Sequence, residues 1–176
     1  NLGSMDVLCT DKTGTLTEAK IRLEQHVDPQ GKPSERVLEL AYLNSFFETG
    51  LKSPLDDAIL AHENIDVSAW KKIDEVPFDF ERRRVSVLLD KGNSRILVVK
   101  GASEEIIGLC THYEEQGNEA QLTLDKASRE RIHAEHIALE KEGFRVLGIA
   151  WRTVPQEHSD AVIGDESDLV FAGFAG

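Results

Sequence analysis

A mixed α/β fold of the α+β kind, with a twisted, largely antiparallel sheet flanked by helices, is predicted by three features of this 176-residue chain. Two short, strongly apolar runs, Val85 to Leu89 and Arg95 to Val99, are separated by a turn containing Lys91-Gly-Asn93, the arrangement of a hairpin. Two helical patterns open on good caps, at Ser34 and at Ser53-Pro54. Hydrophobic residues make up 40% of the chain, enough to build the core of one domain.

Along the chain, Ile21 to Val27 reads as a strand with Ile21 and Leu23 on its apolar face, ending at the Asp28-Pro-Gln-Gly31 turn. The helix capped by Ser34 gathers Val37, Leu38, Leu40, Ala41, Phe46 and Phe47 on one broad face, and Gly50 closes it. The second helix runs from Ser53-Pro54 to about His62. Trp70 to Val76 and the two hairpin runs are strands. Ser103 caps a short helix to Leu109. A polar loop from Tyr113 to Ala120 then leads to a mostly exposed helix from Asp125 to Glu142, stopped by Gly143. Arg145 to Arg152 and Leu169 to Ala172 complete the strands, with no internal repeat.

The net charge of −12 argues against nucleic acid and anionic membrane surfaces as partners. No run approaches the roughly 20 apolar residues of a membrane span, and no signal peptide is visible, so this piece is expected to be soluble. Cys9 and Cys110 lie far apart without a Cys/His cluster, which predicts neither a disulfide framework nor a zinc site and fits a reducing, cytoplasmic setting. No metal-ligating residues are assigned. Basic residues concentrate at Arg82, Arg83, Arg84 and Lys100, either to focus a polyphosphate locally or as a solvated basic spot on an acidic surface.

The chemistry-bearing stretch is Asp11-Lys-Thr-Gly-Thr-Leu-Thr17, behind the β-rich run Met5 to Thr10. A carboxylate delivered to the C-terminal edge of a strand can attack phosphorus. Lys12 can offset the charge of the phosphoryl oxygens, and Gly14 lets the backbone come close. Phosphatases built on this strand-and-loop pattern carry a second carboxylate two positions on, as acid and base; here that position is Thr13. An aspartyl phosphate on Asp11 should therefore persist. The plain alternative is a strand ending in an Asp/Gly turn.

Four further patches each have two readings. Phe78, in Pro77-Phe-Asp-Phe-Glu-Arg-Arg-Arg84, is either a platform for adenine or core packing, and Phe80 should point the same way if the segment is extended, leaving one of the two for the core. Lys100-Gly-Ala102 ends an apolar strand, projecting a cation at the sheet edge, while Gly101 either clears room for a ligand or serves a tight junction. Arg145 points at a phosphate or ribose, or snorkels. Asp56, in the first turn of its helix, caps, accepts from an adenine amino group, or holds a neighbouring arginine.

In this order, Asp-Lys-Thr-Gly-Thr-Leu-Thr, Ser-Pro-x-Asp-x-Ala, Phe-Asp-Phe-x-Arg-Arg-Arg, Lys-Gly-Ala and Gly-x-Arg-Val-Leu, the patches resemble the nucleotide-binding domain of P-type ATPases over essentially the whole chain. The wording around Asp11, Leu51 to Asp57 and Phe78 to Arg84 looks most like bacterial magnesium-transporting members, with a calcium or proton pump as the alternative. The resemblance implies phosphorylation at Asp11, aided by Lys12 and Thr13, and ATP, supplied as its Mg2+ complex, bound by Phe78, Arg83, Lys100, Gly101, Arg145 and Asp56. Asp56 stands where the family has glutamate, and Arg83 where it has lysine. It also implies a stub and hinge strand of the phosphorylation domain at 1–18, a nucleotide-binding domain at 19–169 and a return hinge strand at 170–176. Phosphorylation, actuator and membrane domains of the same polypeptide would be its partners, at the cytoplasmic side of a bacterial membrane. Lacking the family's later magnesium-binding motif, the fragment should bind ATP or ADP without turning it over. A free-standing phosphohydrolase with a large cap, and an interaction domain that has lost its ligand, are the competing classes.

Overall fold

Alternation along two adjacent strands organises the molecule. The computed structural model describes residues 21–50, 52–115 and 120–176; Asp11, Lys12, Thr13 and the segment 1–18 lie outside them. In β3 (Arg84–Asp90) and β4 (Arg95–Ala102), paired antiparallel, Val87, Leu89, Ile96 and Val98 face one side while Leu88, Leu97 and Val99 face the other. Both faces are therefore buried. The first is covered by α1 (Glu35–Phe47) and α2 (Pro54–His62), the second by α3 (Ser103–Leu109) and α4 (Lys126–Lys141).

With β1 (His26–Val27), β2 (Lys71–Asp79), β5 (Cys110–Tyr113), β6 (Leu122–Thr123), β7 (Leu147–Val154) and β8 (Leu169–Ala175), the sheet has eight strands in the order β2-β3-β4-β7-β8-β5-β6, and β1 pairs with β8. The predicted α+β sheet with flanking helices is what forms. All pairings are antiparallel except β5 with β8. Every residue of β8 is buried, and the strand lies between β7 and β5 inside the sheet.

The sequence reading differs in three places. The strand expected from Ile21 narrows to His26–Val27, although the backbone amides of Glu24 and Gln25 still donate to the Gly176 carbonyl at 2.9 Å. Ser103 does not cap α3; β4 runs straight into the helix, and the Ser103 hydroxyl donates to the Val146 carbonyl at 3.2 Å. Strands β5 and β6 went unpredicted because they are short, polar in part, and carry no alternation to detect. The predicted caps at Ser34 and Ser53 are present, and Asp125 caps α4 in the same way, each side chain accepting a backbone N–H of the first turn.

Candidate functional site

The start of α2, the β2–β3 turn, the end of β4 and the start of β7 enclose a groove of about 500 Å³ lined by Glu48, Asp56, Phe78, Phe80, Arg83 and Lys100, among others. Past Leu55 and Leu147 it continues as an open trough bordered by Glu140, Phe144 and Arg145. The structure thus brings Asp56, Phe78, Arg83, Lys100 and Gly101 together around one cavity, with Arg145 on its extension.

Lys100 is not at the sheet edge. Its strand lies between β3 and β7, and the side chain is 5% exposed. A buried ammonium needs partners, and α1 and α2 supply them. Lys100 Nζ donates to Ser45 Oγ at 2.7 Å, pairs with Asp56 Oδ1, and reaches Glu48 Oε1 at 3.5 Å. Asp56 does two jobs. Its Oδ2 accepts from the Ser53 amide at 2.8 Å to complete a capping box, and its Oδ1 takes the Ser45 hydroxyl at 2.9 Å along with Lys100. It holds a lysine rather than an arginine.

Burial alone would raise the Asp56 carboxyl, but the Lys100 charge and the hydrogen bonds from Lys100 and Ser53 outweigh it and hold the group well below the usual carboxylate range. Glu48 has the opposite balance. Desolvation, reinforced by the neighbouring Asp56 charge, outweighs Lys100 and pushes its pKa up to about 7. The sequence reading missed Glu48, although a signal existed: a carboxylate at the C-cap of α1 opposes the helix dipole, so something else must hold it.

The three arginines do not act as one cluster. Glu166, whose side chain is fully buried, takes Arg82 Nη1 at 2.7 and 2.9 Å, Arg84 Nε at 2.7 Å and the Ser86 hydroxyl at 2.5 Å. Two of the three cations are thereby drawn onto one carboxylate away from the groove. Arg83 lies between them in the left-handed region, at φ +52°, on a turn closed by its amide donating to the Asp79 carbonyl at 2.7 Å. Among the described residues it forms no ion pair, and it is exposed at the groove wall. Nothing in the sequence marks Glu166, which comes from a polar loop more than 80 residues away.

Gly101 clears space for backbone, not for a ligand. A Cβ there would sit 2.4 Å from the Arg83 carbonyl oxygen, which accepts the Ala102 amide at 3.0 Å. The glycine lets β4 approach the left-handed turn that presents Arg83. Neither phenylalanine is in the core: Phe78 is 49% and Phe80 89% exposed, with rings meeting edge to face at 5.3 Å. The turn after Asp79 breaks the extended geometry that would have sent one inward. An exposed aromatic pair beside two cations, Arg83 and Arg145, can take a planar heterocycle carrying an anionic tail.

The sequence pattern described as "P-type ATPase, cytoplasmic domain N" matches residues 43–176. The chain is similar to "Magnesium-transporting ATPase, P-type 1" of Salmonella typhimurium strain LT2, 46% identical over 182 aligned positions and 99% of this chain. The protein of the same name in Escherichia coli K12 is 44% identical over 99% of the chain. "Calcium-transporting ATPase 1" of Lactococcus lactis is 26% identical, again over 99%. The chain spans about a fifth of the length of these curated relatives (20% to 22%). The chain belongs to the P-type ATPase family, as its cytoplasmic domain N.

Proposed function

We propose that this chain is the ATP-binding module of a cation-transporting P-type pump of the magnesium class, which carries the γ-phosphate of its nucleotide to Asp11. One observation carries the proposal: the groove joins an exposed aromatic face, Phe78, to a cation, Arg83, that no carboxylate neutralises among the described residues. Adenine lies against Phe78, a contact worth about 1–3 kcal/mol by analogy with base stacking on aromatics. Its amino group faces the Glu48 and Asp56 carboxyls. The phosphates extend toward Arg83 and Arg145, where the groove opens. Lys100, bound to Asp56, shapes the base end. Magnesium enters with the nucleotide, as part of the substrate.

Asp11, Lys12 and Thr13 supply the phosphate-accepting end, and residues 1–18 and 170–176 connect it to this domain. Thr13, in place of a second acid, favours a persistent phosphoenzyme over a phosphohydrolase. The ion path belongs to membrane domains of the longer polypeptide; no helix among the described residues is long and apolar enough to cross a membrane. Identity of 46% to a magnesium transporter against 26% to a calcium transporter favours magnesium as cargo. Alone, the fragment binds ATP or ADP without turnover.

An amide NMR titration with ATP tests the reading. Saturable shifts are expected at Phe78, Arg83 and Lys100, and Phe78→Ala should weaken binding about tenfold. If those signals stay unmoved, the groove is not a nucleotide site and the domain is an interaction module.

A further inference from the structure

The face of the sheet away from α1 and α2 carries a second cluster of ligating side chains. Glu104, in the first turn of α3, and His133 and His136 of α4 each offer one ligand atom, and these atoms lie within 4.8 Å of one another. The two histidines are three residues apart and so share a helix face. An independent observation concerns His136 alone. It is 7% exposed and stacks on Phe174, and its buried Nδ1 has no hydrogen-bond partner among the described residues, while Nε2 faces Glu140 Oε1 at 3.6 Å. Leaving a buried imidazole nitrogen unsatisfied costs about 1–3 kcal/mol. Directing its other N–H at a carboxylate is how a metal-bound histidine is held in the correct tautomer.

We propose that Glu104, His133 and His136 form a site for a divalent transition-metal ion of the zinc class, with Glu140 orienting His136 and water completing the coordination. Two imidazoles and a carboxylate suit zinc, cobalt or nickel, whereas magnesium requires an octahedron of oxygens. A tetrahedral ion holds its ligands roughly 3.4 Å apart, so the cluster must tighten by about 1.4 Å at its widest. Glu104 and His133, both exposed, have the freedom to do this. The negative chain, at −12, attracts divalent cations from solution. The ion would tie the first turn of α3, which follows directly on Gly101 and Ala102 of the groove, to α4, whose Glu140 borders the trough.

Calorimetric titration of the whole chain with zinc chloride, without nucleotide, tests the site, together with the histidine ring nitrogens read by NMR. The expected result is one saturable site, a large shift of His136 Nδ1, and binding at least tenfold weaker in Glu104→Gln and His133→Ala, with Glu130→Gln unchanged. Both tested residues are exposed, so their variants should fold, and the ring signals report on the wild type without any substitution. Absence of saturable zinc binding, an unmoved His136 ring, or full affinity in His133→Ala would overturn the proposal.

Discussion

Two buried ion clusters lie back to back through the β3–β4 ladder, and they are opposite in composition. On the α3 and α4 side, one carboxylate, Glu166, serves two guanidinium groups and Ser86. On the α1 and α2 side, one ammonium, Lys100, serves two carboxyls and Ser45. Strand alternation assigns them to their faces, since Ser86 pairs with Val99 while its neighbour Val85 pairs with Lys100. The cations of the Glu166 cluster are guanidinium groups, which cannot release a proton in a protein. A carboxyl can take one up, and Glu48 is poised to do so at about 7. The first cluster is a clip that fixes the β2–β3 turn and leaves Arg83 without an ion pair among the described residues; the second is a groove wall whose charge responds to pH.

The largest effect that tests this contrast is expected from Glu166→Ala, which leaves two partly buried cations without their shared counter-ion. It should cost about 3–5 kcal/mol in urea unfolding, nearly independent of pH across neutrality. Lys100→Ala should cost less, about 2–3 kcal/mol, because the stranded carboxyls escape by protonation, and the cost should shrink as pH falls. A Lys100→Ala penalty that is larger than that of Glu166→Ala in mild acid would break the comparison. Gly101→Ala should follow at about 2 kcal/mol, by forcing β4 off the Arg83 carbonyl.

Glu48 itself adds a contribution that depends on pH. Its pKa in the fold, about 7, lies above the ordinary 4.5, so the folded chain binds the extra proton. Stability from this group is complete below 4.5 and is lost as pH rises to about 7, a swing on the order of 3 kcal/mol. Glu48→Gln should flatten the unfolding midpoint over that interval; an unchanged pH profile would show that Glu48 does not titrate in the wall.

How much of this was legible in the sequence follows the range of the interactions. The β3–β4 hairpin, two helix caps and the patches around Phe78, Lys100 and Arg145 are written in contiguous residues, and the order of the patches carried the family resemblance. What stayed hidden depends on long-range pairing. The arginine triplet reads as one basic patch until Glu166, from a distant loop, divides it. Gly101 reads equally as a ligand gap or a tight junction until the left-handed Arg83 turn is seen against it. Lys100 reads as an edge cation because its place between β3 and β7 is set by strands up to 50 residues on.

The claim that Arg83, and not its neighbours, serves the nucleotide is tested most directly by calorimetric ATP affinity in Arg83→Ala and Arg82→Ala, each checked for folding. Loss of one charge-assisted phosphate contact should weaken ATP binding by about tenfold in Arg83→Ala and leave Arg82→Ala close to wild type. Equal losses in both variants, or a loss confined to Arg82→Ala, would contradict the division of labour imposed by Glu166.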